Sequence, residues 1–231
     1  MQLGDVVHGP DGEARRAQPD LYDFEDESWT IVEGLSQLIA ARPDRVHFVI
    51  GNHDYGHIGG PRTNKFYPDE VAQLEATLDD DQRRRLHDFL RAALLGVVAP
   101  CGALLCHGSP DDLLVSLEDL DRIALPPARD DPLGPAILRS WLNAYGQRRE
   151  VTARLLATVS RGAGAPIAIV IHGHDRAREG WFVESGNQLC PVIFGAEREN
   201  KRYVLLDLAA QYPDVTSLRN GVEIRRLYGP P

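Results

Sequence analysis

The sequence predicts an α/β fold, and three observations carry the prediction. Short runs rich in Ile, Val and Leu end abruptly in a glycine beside a polar residue. Between these runs, apolar residues recur at helical spacing. One run, Phe48-Val49-Ile50, passes directly into Gly51-Asn52-His53-Asp54, setting an amide, an imidazole and a carboxylate side by side at a strand end. The C-terminal edge of a sheet is where α/β proteins commonly build their sites.

Taken in order, Leu3-Gly4-Asp5 reads as a strand end and residues 9–28 as an acidic loop. A helix is expected from about Glu25 to Ala41, with Ile31, Leu35, Leu38 and Ile39 on one stripe and Pro43 ending it. A strand over Val46–Ile50 leads into the central run, and the glycines and prolines of residues 55–68 form a loop beside it. Two helices are expected next, from Asp69 to about Leu78 and from Asp81 to Leu95. In the second, Leu86, Phe89, Leu90, Ala93 and Leu94 share a face. Ala103–Cys106 is a buried strand ending at His107. Ser109 and Pro110 then suit the cap and first turn of another helix. A proline-rich loop spans 125–135, a helical block runs from about Ile137 to Ser160, and Pro166–His172 is a strand ending at Gly173-His174. Strands around 181–184, 189–194, 203–207 and 222–227 close the sheet. No domain boundary is evident, so residues 1–231 read as one domain.

Composition narrows the function. The chain is 43% hydrophobic and 26% charged, which is ordinary for a globular protein. A net charge of −9 argues against a nucleic-acid or anionic-membrane partner, although a metal cluster can invert the field locally and admit phosphate. Three scattered cysteines without a CxxC point to a reducing, cytoplasmic compartment, and no leader or membrane span is expected.

Four strand ends carry a ligand-type residue next to a glycine: Asp5, Asn52, His107 and His174. One carboxylate, one amide oxygen and two imidazoles form a mixed N/O set, which suits Mn, Fe or Zn rather than Ca. Leu3-Gly4-Asp5, Gly51-Asn52-His53-Asp54, the segment Lys65 to Glu70, Cys106-His107-Gly108 and Gly173-His174-Asp175-Arg176 together resemble the calcineurin-like metallophosphoesterases. Within them, the phosphoprotein (serine/threonine) phosphatase family is the nearest in pattern. The resemblance implies two mixed β-sheets packed as a sandwich flanked by helices. It implies divalent metal ions, with Asp5 bridging two of them and Asn52, His107 and His174 completing the ligand set of the second ion. It implies that His53 acts as a general acid or charge stabiliser. Asp54 is grouped with it as catalytic, either orienting His53 or His107 or only closing the turn.

The chain departs from the family pattern in three places. No Asp-x-His strand precedes Gly4, so the first strand reads as missing and the domain as N-terminally incomplete. His8 and Gly9 stand where the protein-phosphatase branch has an aspartate and an arginine, and Arg176 stands where other branches have a histidine. Two ions are therefore expected in the family and one in this chain. Arg176, Arg62 and His8 are the candidate phosphate contacts, because guanidinium matches phosphate bidentately. His172 reads as a satisfied strand-end residue, and His47 and His87 as structural. The expected function is metal-dependent hydrolysis of a phosphomonoester, either a phosphoprotein or a small phosphate. The alternatives are a dinucleotide-polyphosphate hydrolase or a non-catalytic metal- or phosphate-binding remnant. Oligomeric state is left open.

Overall fold

The computed structural model describes residues 1–128 and 130–229. The chain forms two compact units, Met1–Leu94 and Leu95 onward.

The first unit is largely helical. Helices α1 (Gly12–Ala17) and α2 (Pro19–Tyr22) occupy the stretch expected to be an acidic loop. Local capping produces them. Asp11 accepts from the Ala14 N–H, Arg15 and Arg16 lie in the last turn of α1, and Pro19 opens α2 where no N–H is needed. Helix α3 (Ser28–Ala41) forms as expected, but its apolar stripe is not core. Val32 is buried, whereas Ile31 and Leu38 are 44% and 53% exposed. Helices α4 (Asn52–Gly56), α5 (Glu70–Glu75) and α6 (Asp80–Arg91) follow. Helix α6 buries Leu86 and Leu90 completely, and Asp79 and Gln82 cap it reciprocally.

The strand expected over residues 46–50 makes only isolated parallel bridges, Gln2 with Phe48 and Val49 with Leu94. Its backbone is nevertheless tied on both sides. The Val49 N–H donates to Gln2 O at 2.9 Å, and the Ile50 N–H to Leu94 O at 2.9 Å. Val49 and Ile50 are wholly buried. Gly51 is thus delivered to a fixed place by a short, apolar, two-sided segment.

The second unit holds the regular sheet. Its elements are β1 (Gly96–Ala99), β2 (Ala103–Cys106), α7 (Glu118–Asp121), α8 (Gly134–Asn143), α9 (Arg149–Ala163), β3 (Ile169–His172), β4 (Trp181–Glu184), β5 (Gln188–Pro191), β6 (Arg202–Val204) and β7 (Ile224–Arg226). The strand order is β1-β2-β3-β5-β4, and β6 and β7 form a separate antiparallel pair. Pairs β2–β3 and β3–β5 are parallel, while β1–β2 and β4–β5 are antiparallel, so the five-stranded sheet is mixed. Leu155, Leu156 and Val159 of α9 and Ile137 and Trp141 of α8 pack with Leu104 and Val170 of the central strands. Each such side chain contributes about 1.5–3 kcal/mol of burial. The α/β class and the two flanked sheets agree with expectation.

Two expected helices differ. No helix starts at Ser109. Its N–H donates instead to Ala144 O at 2.8 Å, and its hydroxyl is bonded to Gln188 Oε1. The block 137–160 is two helices, because Gln147 breaks it. The Gln147 N–H donates to Gln188 Oε1 at 3.0 Å and its carbonyl accepts from Gln188 Nε2 at 2.7 Å. No helix among the described residues is long and apolar enough to cross a membrane.

Candidate metal centre

In the first unit, the site residues are built around a buried carboxylate. Asp54 is wholly buried. Its Oδ2 accepts from the amides of Asp5 at 2.7 Å and Gly51 at 2.8 Å, and its Oδ1 from those of Val6 at 2.9 Å and Val7 at 3.3 Å. Four backbone donors on one carboxylate fix the loop 4–7 against the start of α4. These contacts give Asp54, grouped with His53 by the sequence, a positioning role on the backbone of both segments.

What this clamp holds is strained. Gly4 has φ 91° and Asp5 φ 58°, so two consecutive residues are left-handed. Aspartate tolerates that region better than most residues, but it is not preferred there. The Asp5 carboxylate is in turn placed by the His53 N–H, which donates to Oδ1 at 3.0 Å. Position 51 must be glycine for the same reason. A Cβ there would lie 2.2 Å from Asp5 Oδ1 and 2.5 Å from its backbone nitrogen. Asn52 follows as the first residue of α4 and is half-buried.

His53 has a partner that the sequence did not single out. Its Nδ1 lies 2.7 Å from Glu70 Oε2, and Glu70 Oε1 accepts from the Phe66 N–H at 2.8 Å. Burial pushes the Glu70 carboxyl up. Hydrogen bonds from His53, His8 and the Phe66 amide outweigh it and hold the group well below the usual carboxylate range. An ionised Glu70 makes His53 Nδ1 the donor, so the lone pair of the neutral ring lies on Nε2. The sequence brought Glu70 forward only as the end of the segment Lys65 to Glu70, beside the Asp69 helix cap and 17 residues beyond His53.

His8 stacks on His53 with ring centroids 3.7 Å apart, and its Nδ1 is 3.7 Å from Glu70 Oε1. It is buried, and burial lowers its pKa, so it is neutral near pH 7. The structure therefore places His8 beneath His53 rather than on an open phosphate-binding surface. Arg62 is exposed and bonded to Asp69 at 3.0 Å. Arg176, in the second unit, is exposed.

In the second unit, two histidines are set by one carbonyl. His107 follows β2 and His174 lies two residues past β3. The amides of Gly173 and His174 both donate to His107 O, at 2.8 and 2.9 Å. This locks the two strand ends together. His174 Nδ1 then stands 3.2 Å from His107 Nε2. Two nitrogens on one tetrahedral ion with bonds of about 2.0–2.1 Å lie about 3.4 Å apart. The 3.2 Å spacing of the pair is close to that of two imidazole ligands on one ion. Other groups with donor atoms in reach of one another are His8, His53 and Glu70; His57, Glu75 and His87; and His172, Asp175 and Cys190.

The chain resembles a solved protein serine/threonine phosphatase from Saccharomyces cerevisiae with similarity to human phosphatase PP5. The two share 16% identity and superpose with a TM-score of 0.53 over 71% of this chain and 53% of that one. At that identity the likeness is one of fold, and this chain spans about half the length of its neighbour. No curated protein matches. The signature of the calcineurin-like phosphoesterases matches residues 1–177. That is most of the sequence and includes every ligand-type strand end described above, so the chain belongs to the calcineurin-like phosphoesterase family.

Proposed function

We propose that the chain is a metal-dependent phosphomonoesterase of the serine/threonine phosphatase kind. In this reading Asp5, Asn52, His107 and His174 hold a divalent ion, with manganese the first choice and iron or zinc the others. His53 is the general acid and Glu70 its positioning residue. When bound, such an ion supplies positive charge for the phosphoryl oxygens and makes an attacking water more acidic. Asp5 is held in a strained, preorganised conformation, so no reorganisation is needed when a cation arrives.

The observation that carries the reading is the 2.7 Å contact between His53 Nδ1 and Glu70. A carboxylate on one ring nitrogen steadies the protonated ring and aims the other nitrogen. That is what protonating a departing alkoxide requires. A phosphoprotein side chain or a small phosphomonoester fits as substrate. Three buried free cysteines fit a reducing, cytoplasmic compartment.

The test compares an aryl phosphate, whose leaving group needs no proton, with phosphoserine in a peptide, both with excess Mn²⁺. His53→Ala should reduce turnover of the phosphoserine substrate about 10²–10⁴-fold and of the aryl ester far less. Equal losses on both would remove His53 as the proton donor. No hydrolysis of either by the parent chain with Mn²⁺, Fe²⁺ or Zn²⁺ would overturn the activity.

A further inference from the structure

Buried polar groups are nearly always paired, and a second-unit residue breaks that rule. His172 is wholly buried at the end of β3, and neither of its ring nitrogens has a hydrogen-bond partner among the described residues. It is therefore not the satisfied strand-end histidine that the sequence suggests. An imidazole carries one N–H and one lone pair, so both of its polar functions are unmet.

The neighbours supply what is missing. Register pairs Ile171 with Leu189, which brings His172 level with Cys190 on the adjoining strand β5. Asp175 turns back over the strand end and sets Oδ2 4.0 Å from His172 Nδ1. Donor atoms of His172, Asp175 and Cys190 all lie within 4.8 Å of one another. Cys190 is wholly buried, and the Asp175 amide lies beside its sulfur. The set His57, Glu75 and His87 offers a contrast. There both imidazoles bond to Glu75 Oε1 at 2.9 Å, so each ring has a hydrogen-bond partner.

We propose that His172, Asp175 and Cys190 form a second metal site, distinct from Asp5, Asn52, His107 and His174, that takes a thiophilic divalent ion of the zinc class. The donor set of imidazole, carboxylate and thiolate is a zinc set. Binding releases the thiol proton to solvent and forms a metal–sulfur bond. A dication with one thiolate, one carboxylate and a neutral imidazole sums to zero charge, which a buried site tolerates. The coordinating nitrogen of His172 finds its partner in the ion.

Sulfur separates this site from the other, whose donors are all nitrogen and oxygen. The full chain is loaded with excess zinc and measured by X-ray absorption at the zinc edge. A sulfur shell at about 2.3 Å is expected. Cobalt in place of zinc should show a near-ultraviolet thiolate-to-cobalt band. Cys190→Ser should abolish both signals and lower the metal content by one ion per chain. His107→Ala should keep the sulfur shell while losing hydrolysis. Zinc seen with nitrogen and oxygen neighbours alone overturns the proposal from the parent chain itself, even if the variant does not fold. A sulfur shell that survives Cys190→Ser also overturns it.

Discussion

Replacing Asp54 with asparagine alters a single terminal atom and hardly any volume, yet it should be among the most damaging substitutions in the first unit. The carboxylate accepts two backbone N–H groups on each oxygen. Asparagine retains one acceptor oxygen, which can still serve two of the four donors. The other position becomes an NH₂ group facing two N–H groups. Each buried donor left without an acceptor costs about 1–3 kcal/mol, so two cost about 2–6 kcal/mol. A native domain is stable by roughly 5–15 kcal/mol in total, so much of the reserve disappears. The assay is urea unfolding at neutral pH with both proteins stripped of metal, so that ion binding does not mask the difference. The midpoint should fall by the corresponding amount at unchanged slope. Because Asp54 holds the left-handed Asp5, metal affinity of the refilled protein should also fall. A loss below about 1 kcal/mol, the net worth of an ordinary hydrogen bond, would refute the four-donor clamp.

Other substitutions follow from the same contacts. Glu70→Gln should lower turnover of a phosphoserine substrate about 10–10²-fold, part of the 10²–10⁴-fold that acid catalysis provides, and of an aryl phosphate far less; equal losses on both would strip Glu70 of its positioning role. Glu70 should also make stability pH-dependent. Its folded carboxyl lies well below the ordinary 4.5, so its stabilisation is complete above about pH 4.5 and is lost as pH falls. The unfolding free-energy gap between the parent and Glu70→Gln should therefore shrink between about pH 5 and pH 3, and a constant gap would contradict the linkage. His107→Ala or His174→Ala should reduce bound metal and melting temperature together, because an ion held by the folded state stabilises it. Unchanged metal content in both variants would take these residues out of the ligand set.

Much of the fold was legible because its signals are local. Strands β2 and β4 lie where the apolar and aromatic runs place them, and the glycines beside Asp5 and Asn52 announced a left-handed turn at Gly4 and a close backbone approach at Gly51. Local signals misled where a distant partner decides. Ser109 and Pro110 have the chemistry of a helix start, but the hydrogen bonds of Ser109 go to Ala144 and Gln188 across the unit. Strand β1 was hidden in Gly96-Val97-Val98-Ala99 because four residues next to an amphipathic helix carry no period of their own. The stripe Ile31, Leu38 has perfect helical spacing and yet faces outward, since periodicity reports a helix and not what covers it. Within the candidate site, the donor residues were readable as residue types at strand ends. Glu70 was not, because an acid near a helix start is common, and only the folded chain shows which imidazole it meets.

The two units hold their site residues by different kinds of frame, and this has a thermodynamic consequence. His107 and His174 are anchored at the ends of ladder-paired strands, in a sheet five strands wide. Asp5 and His53 hang on two isolated bridges and a polar clamp. Ladders open cooperatively, many bonds at a time, whereas a clamp opens when a single side chain lets go. Asp5 and its loop thus belong to a smaller cooperative unit with a lower opening free energy. Local openings of this loop, rather than of the sheet, are what displace the Asp5 carboxylate from its preorganised position.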